Sequence, residues 1–182
     1  MDSTKNDDFN FTIDDILSLP EGIHMEMIDG MVYDMATPSP FHQEIVAFLV
    51  HKIAAHIEKK KGKCVVYPAP FGVFLKDDKK NYLEPDVSVV CDKNKISSRG
   101  CEGAPDWVIE VVSPSSRSMD YLRKLHIYKQ NGVRLYWIVD PLSMYVTVCD
   151  FAADTRTQYI IDEKIPVAIY DDLVIDMGEL DI

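Results

Sequence analysis

WVIEVVSPSSRSMDYLRKLHIYKQNGVRLYWIV, residues 107–139, reads as strand, helix and strand in one pass. Trp107 to Val112 is apolar and rich in β-branched residues, and Ser113-Pro114-Ser115-Ser116 breaks the run. A helix from about Ser118 to Gln130 then stops at Asn131-Gly132, and Leu135 to Val139 forms a second apolar strand. Elements in this order make a crossover unit, whose two strands run parallel and are covered on both faces. The stretch therefore predicts a mixed α/β sheet flanked by helices. Glu110 sits inside the first strand, where a charge without a partner costs several kcal/mol.

Upstream, Glu84-Pro85-Asp86-Val87-Ser88-Val89-Val90 sets another acid, Asp86, against an apolar run. Asp86 and Glu110 on neighbouring strands suit a divalent cation. In the helix after Glu110, Asp120, Lys124 and Tyr128 recur at four-residue spacing and share a face, which turns Lys124 back toward the sheet. Two carboxylates holding Mg²⁺ or Mn²⁺ beside a lysine meet the needs of phosphodiester hydrolysis. The metal polarises the phosphoryl group and acidifies water, and the lysine orients the nucleophile or stabilises developing negative charge. A plainer alternative has Asp86 at a strand end beside a turn, Glu110 paired with Lys124, and Asp120 with Lys124 as a surface pair worth little. Each residue alone fits that alternative; the combination is harder to obtain from generic packing.

Working outward, Thr12 with Asp15 forms a capping box for a short helix that Pro20 and Gly22 close. Asp29-Gly30 joins Met25 to Ile28 and Met31 to Tyr33 as a hairpin. Ser39-Pro40 opens a long amphipathic helix carrying Ile45, Phe48, Leu49, Ile53, His56 and Ile57. Cys64 to Tyr67 and Gly72 to Leu75 read as strands, Asp77 to Asn81 as an exposed turn, and Asp92 to Pro105 as a polar loop. Further strands are expected at Tyr145 to Cys149 and Tyr159 to Ile161, with a short acidic tail from Asp171.

The 182 residues are 47% hydrophobic and 27% charged, which suits one domain over 1–182 with a flexible tail over 1–10. Met1 to Phe11 lacks the basic start and apolar middle of a signal peptide, and no run approaches a membrane span, so a cytoplasmic protein without membrane contact is expected. Cys64, Cys91, Cys101 and Cys149 are scattered without metal-finger spacing and read as free buried thiols. A net charge of −11 opposes nonspecific attraction to a polyanion, so nucleic-acid binding needs local basic patches. Candidates are Lys59-Lys60-Lys61 with Lys63, Lys76 with Lys79-Lys80, Lys93 with Lys95 and Arg99, and Arg117 with Arg123.

Glu84-Pro85-Asp86-Val87, Val108-Ile109-Glu110-Val111-Val112-Ser113-Pro114-Ser115-Ser116, Asp120 with Lys124 and Tyr128, and Gly132-Val133 followed by Tyr136-Trp137-Ile138-Val139-Asp140-Pro141 resemble the Uma-type family of putative restriction endonucleases. That family, formerly a domain of unknown function, belongs to the PD-(D/E)XK nuclease superfamily. Glu26 to Gly30, Pro38-Ser39-Pro40 and His42 are similar to the family's start, so the resemblance covers nearly the whole chain. It implies a restriction-endonuclease-like mixed β-sheet core, Mg²⁺ or Mn²⁺ as cofactor, DNA as substrate, and a homodimer in which Val167, Ile169 and Tyr170 are candidate contacts. It also implies Asp86 and Glu110 as metal ligands and Lys124 as the catalytic lysine. The superfamily's usual lysine, two residues after the acid, is Val112 here, and Lys124 supplies the amine from the helix, as the family itself does.

Glu26 and His42 are secondary candidates: Glu26 approaches the metal from its hairpin strand or faces solvent, and His42 contacts a phosphate, Glu26 or a structural partner. Tyr128 is expected to pack the helix onto the sheet, Tyr136 and Trp137 to lie in the core, and His51 and His126 at the surface or against a helix. Two other functions fit the same residues. One is a binding module that kept a nuclease fold without catalysis; the other is a hydrolase of RNA or another phosphoester.

Overall fold

Residues 107–139 form the expected crossover: Trp107–Val111 and Leu135–Asp140 pair in parallel, with Leu135 opposite Trp107 and Val139 opposite Val111. The structure is a computed structural model that describes residues 11–20, 22–75 and 80–180. The expected tail over 1–10, and Lys76 to Lys79 of the expected turn and basic patch, lie outside the described residues.

In chain order, the Thr12 capping box forms in full and starts α1 (Ile13–Leu17). Asp29 and Gly30, at φ of 52° and 79°, join β1 (Met25–Ile28) to β2 (Met31–Asp34). Both angles lie in the left-handed region that a two-residue hairpin turn requires and that Asp-Gly tolerates. Ser39 accepts the His42 N–H and Pro40 occupies the first turn of α2 (Pro40–Lys59), whose Ile45, Leu49 and Ile53 are fully buried.

Next come β3 (Val65–Pro68), β4 (Val73–Phe74), β5 (Tyr82–Leu83) and β6 (Val87–Val90). The stretch expected as a polar loop instead holds a 3-10 turn and two short strands, β7 (Ile96–Ser97) and β8 (Gly100–Glu102). Strands this short show no alternation that a sequence can display. The parallel pairing of β8 with β4 depends on glycine, because a Cβ at Gly100 would fall 2.1 Å from the Gly72 carbonyl oxygen.

After β9 (Trp107–Val111), the expected helix begins as a π-helical segment over Met119–Lys124 and continues as α3 (Leu125–Asn131), ending at Gly132 with φ of 88°. Then follow β10 (Leu135–Asp140), β11 (Tyr145–Asp150), β12 (Thr155–Ile160), β13 (Lys164–Pro166) and β14 (Val174–Asp176). β12 starts at Thr155 rather than at the expected Tyr159, because its first residues are polar and exposed on a sheet edge.

One sheet has the order β2-β1-β5-β4-β8-β7, a second the order β12-β11-β10-β9-β6-β3, and β13 pairs with β14 apart from both. The second sheet is mixed: β9 and β10 are parallel and its other pairs antiparallel. α2 covers one face, where Trp107, Ile109 and Val111 pack with Ile45, Leu49 and Ile53. On the opposite face Val108 and Val112 join Ile127 and Tyr128 of α3 and Val73 and Leu83 of the first sheet. Strand alternation puts Glu110 on that same face, directed into the inner core.

The segment from Asp171, expected as an acidic tail, folds back instead, and Leu173, Ile175 and Met177 are buried against the α2 core. Val167, Ile169 and Tyr170, the candidate dimer contacts, pack into that same core, with Val167 1% exposed. The cysteine expectation is corrected for one pair: Cys64 and Cys91 form a disulfide, whereas Cys101 and Cys149 are free and buried. The β3–β6 register explains it, since Val65 opposite Val90 brings the next residues outward, Cys64 and Cys91, face to face. No helix among the described residues is long and apolar enough to cross a membrane.

Candidate active site

Asp86 directly precedes β6, and the pairing of Val87 with Ile109 continues to set Asp86 opposite Glu110. The Val111 N–H donates to Asp86 Oδ2 at 2.7 Å, which fixes the carboxylate at the end of the two strands. Glu110 is 3% exposed. The Tyr128 hydroxyl donates to Glu110 Oε1 at 2.7 Å, and Lys124 Nζ donates to that same oxygen at 3.0 Å.

The π-helical segment decides what faces the sheet. Its wider winding brings Asp120 and Lys124 together onto the buried side, with Tyr128 one α3 turn further on. Tyr136 of β10 anchors the segment by donating from its hydroxyl to the Asp120 carbonyl at 3.1 Å. Lys124 Nζ lies 2.8 Å from Glu26 Oε2, 3.0 Å from Glu110 Oε1 and 3.5 Å from Asp120 Oδ1, so one ammonium sits among three carboxylates. Asp120 with Lys124, a surface pair in the plainer alternative, is therefore a buried one.

Glu26 comes from β1 and is buried, so it does not face solvent. Its Oε1 accepts the Glu84 N–H at 3.2 Å. The Glu84 carboxylate in turn accepts from the Tyr82 hydroxyl at 2.6 Å and lies 3.0 Å from His24 Nδ1. Glu84 and Asp86 thus flank Pro85 with separate tasks, one tying β5 to β1 and the other facing Glu110. His42, in the first turn of α2, places Nε2 3.3 Å from Asp86 Oδ2, while its Nδ1 is buried without a hydrogen-bond partner.

Burial pushes the Glu110 carboxyl well above its ordinary value; Lys124 opposes the shift, and the charges of Asp120, Glu26 and Asp86 add to it. Asp120 moves up for the same reason, against Lys124 and a hydrogen bond from Ser116. Burial alone would lower Lys124, but Glu110, Glu26 and Asp120 outweigh it and hold the ammonium well above its usual range. Burial also opposes charge on His42, yet the hydrogen bond and charge of Asp86 prevail and raise it. Lys124 is consequently a fixed cation, unsuited to act as a base near neutral pH.

The structure brings Asp86, Glu110, Lys124, Glu26 and His42 into one place. Sequence reasoning missed the burial of Asp120 and the tie made by Glu84. The signal for Asp120 was its four-residue spacing from Lys124; Glu84 had none beyond its neighbour Asp86. Tyr128 packs α3 onto the sheet as expected and in addition donates to Glu110. Tyr136 and Trp137 are fully buried, and His51 and His126 are exposed.

Among the described residues no group of three His, Cys, Asp or Glu side chains is arranged to hold a metal ion. The charge and donor chemistry still fit a divalent cation. Glu26, Glu110, Asp120 and Asp86 face one lysine and one histidine, and the buried Asp120 Oδ1 has only the Lys124 ammonium, 3.5 Å away, beside it. Carboxylate oxygens are the ligands that Mg²⁺ and Mn²⁺ prefer. Asp86, its side chain 16% exposed against 4% for Glu110, is the carboxylate nearer to solvent.

An uncharacterized protein of Synechocystis sp. is 31% identical over 122 residues, a match covering 66% of this chain and 63% of that protein's length. A crystal structure of a putative nuclease belonging to DUF820 from Anabaena variabilis shares the fold, with a TM-score of 0.75 and 23% identity over 93% of this chain and 96% of that one. The model of the Uma2 family, described as a putative restriction endonuclease, matches residues 13–166, and the chain belongs to that family.

Proposed function

We propose that this chain is a divalent-metal-dependent endonuclease that hydrolyses DNA phosphodiester bonds. The observation that carries this reading is the buried Lys124 ammonium, held among Glu26, Glu110 and Asp120 and one strand from Asp86. In it, Asp86 and Glu110 would hold Mg²⁺ or Mn²⁺. That metal, when bound, supplies the charge that polarises a phosphoryl group and makes water acidic enough to attack.

The other tasks belong to the chain's own residues. Lys124 stays protonated, so it donates hydrogen bonds and stabilises negative charge developing on the phosphoryl oxygens instead of taking a proton. Tyr128 and Lys124 hold Glu110 Oε1 from two sides and fix its orientation. His42, beside Asp86 at the more exposed side of the site, carries a proton more readily than an ordinary histidine and holds the Asp86 carboxylate through Nε2. Glu26 keeps Lys124 in place through one oxygen and β5 through the other.

The test is cleavage of supercoiled plasmid, linear duplex, single-stranded DNA and RNA with Mg²⁺ or Mn²⁺, comparing the native chain with Asp86→Ala and Glu110→Gln. DNA cut by the native chain and by neither variant is the expected result. Cleavage that survives both substitutions overturns the site, and cleavage of RNA alone overturns the substrate.

A further inference from the structure

We propose that the groove between the β1–β2 hairpin and the outer face of α3 is the subsite for the nucleic-acid strand flanking the scissile phosphate, with Arg123 as its backbone-phosphate contact. The proposal rests on the nuclease reading above and assigns the surface that reading leaves open. The groove has a volume of about 160 Å³ and is lined by Ile28, Asp29, Met31, Arg123, His126, Ile127 and Gln130. Ile28 and Ile127 are buried and make an apolar floor, while Arg123, His126 and Gln130 are exposed on its rim.

Its position follows from register. Tyr33 is the cross-strand partner of Glu26, and Ile28 lies two residues along β1 from Glu26, so all three side chains share the face that meets Lys124. Arg123 immediately precedes Lys124, and 123, 127 and 130 continue along one side of the helix. The groove therefore lies beside the carboxylate cluster, sharing β1 and the Lys124 segment with it. A strand with its scissile phosphate at Asp86 and Glu110 has neighbouring phosphates that must lie on adjoining surface.

Charge selects the residue. The chain carries −11 overall, and three of its four other arginines are neutralised locally: Arg99, Arg117 and Arg134 lie against Glu102, Asp140 and Asp106. Lys52, Lys60, Lys129 and Lys164 likewise lie against carboxylates. Arg123 instead donates to the Tyr33 hydroxyl and sits over its ring, 5.5 Å from the centroid. A guanidinium held by a neutral phenol is positioned without being discharged, and its remaining N–H groups suit a phosphate. Arg156 also sits over a tyrosine ring, that of Tyr121, but does not line this groove. Asp29 on the rim opposes an anion and so gives the proposal a variant of opposite sign.

The experiment measures binding of fluorescently labelled duplex DNA, single-stranded DNA and RNA to the full chain in Ca²⁺ across a salt series, with cleavage in Mg²⁺ followed separately. Arg123→Ala should weaken binding roughly tenfold, irrespective of base sequence, and make the dependence of log K on log salt shallower by about one. Arg123→Lys should restore the slope, Asp29→Asn should tighten binding, and Lys164→Ala, on the separate β13–β14 pair and already against Asp176, should leave it unchanged. Native affinity and slope in Arg123→Ala, or no tightening in Asp29→Asn, overturns the subsite. If the native chain binds but never cleaves, and Arg123→Ala still weakens it, the subsite stands and the hydrolytic reading falls. If the native chain binds none of the three, both fall.

Discussion

In the proposed function Lys124 has two tasks, and burial ties them together. Its ammonium is the cation closest to Glu26, Glu110 and Asp120, all of them buried. From sequence alone, Lys124→Ala reads as a change to chemistry that spares the fold; the observed burial changes that expectation. Removing one partner from a buried ionic group leaves uncompensated charge and costs about 3–5 kcal/mol. The deficit should depend on pH with a definite sign. Glu110 and Asp120 have folded values raised above their unfolded ones, so each favours folding below its unfolded value and loses that contribution as pH rises through the folded value. Urea unfolding of Lys124→Ala should therefore show a smaller deficit against the native chain near about pH 5 than near about pH 8. An equal deficit at both would place the cost in lost packing. Glu110 and Lys124 were legible in the sequence because an acid in an apolar strand and a lysine on the apolar side of a helix each break a local pattern. Glu26 alternates with methionines in a hairpin, which is equally compatible with solvent, and its place beside Lys124 depends on a sheet pairing far away in sequence.

At the scale of elements, the π-helical segment sets the site's geometry. An α-helix advances about 100° per residue, so one extra residue wound into a π turn rotates everything before it relative to everything after. Deleting Leu122, 68% exposed in that segment, should restore α-helical winding and rotate Asp120 off the buried face while leaving α3 docked. The expected outcome is a cooperative thermal transition retained and cleavage lost; unchanged cleavage would show that the winding has no part in activity. Sequence spacing could reveal the helix but not this segment, because four-residue spacing looks the same in either winding. It likewise revealed the Asp29-Gly30 hairpin and the caps of α1 and α2, which depend on neighbouring residues, and missed β8, which pairs with the distant β4, and β7, a two-residue edge strand paired with β8. The cysteines follow the same division. Cys64 and Cys91 meet because β3 and β6 pair, so denatured, unreduced protein should titrate with two free thiols out of the chain's four. Cys101, pushed up to about 11 by burial, should resist alkylation at pH 8 until the chain unfolds. Four thiols without reductant would refute the cross-strand bond.

For the whole molecule, the acidic balance and the buried cluster lead to one consequence: the fold holds more negative charge at its site than its own cations neutralise. Strain of this kind is expected where function requires it and costs stability elsewhere. Glu110→Gln removes one charge from an acid that burial already disfavours in its ionised form while keeping its shape, so the metal-free variant should melt no lower than the native chain at neutral pH. A ligand that binds the folded state alone stabilises it by about 2.7 kcal/mol at a hundredfold excess over its Kd. For a chain of this size that corresponds to a rise of roughly 5–10 °C in Tm. The native chain should show such a rise on adding Mg²⁺ or Mn²⁺ and its loss on chelation, and Glu110→Gln should show neither. This measurement needs no substrate, so it tests the cation site even where cleavage depends on a particular DNA. A rise of the same size in Glu110→Gln would place the ion elsewhere on the acidic surface. Destabilisation of the metal-free variant would make Glu110 a structural partner of Lys124 and Tyr128 rather than a ligand held ready at the end of β9.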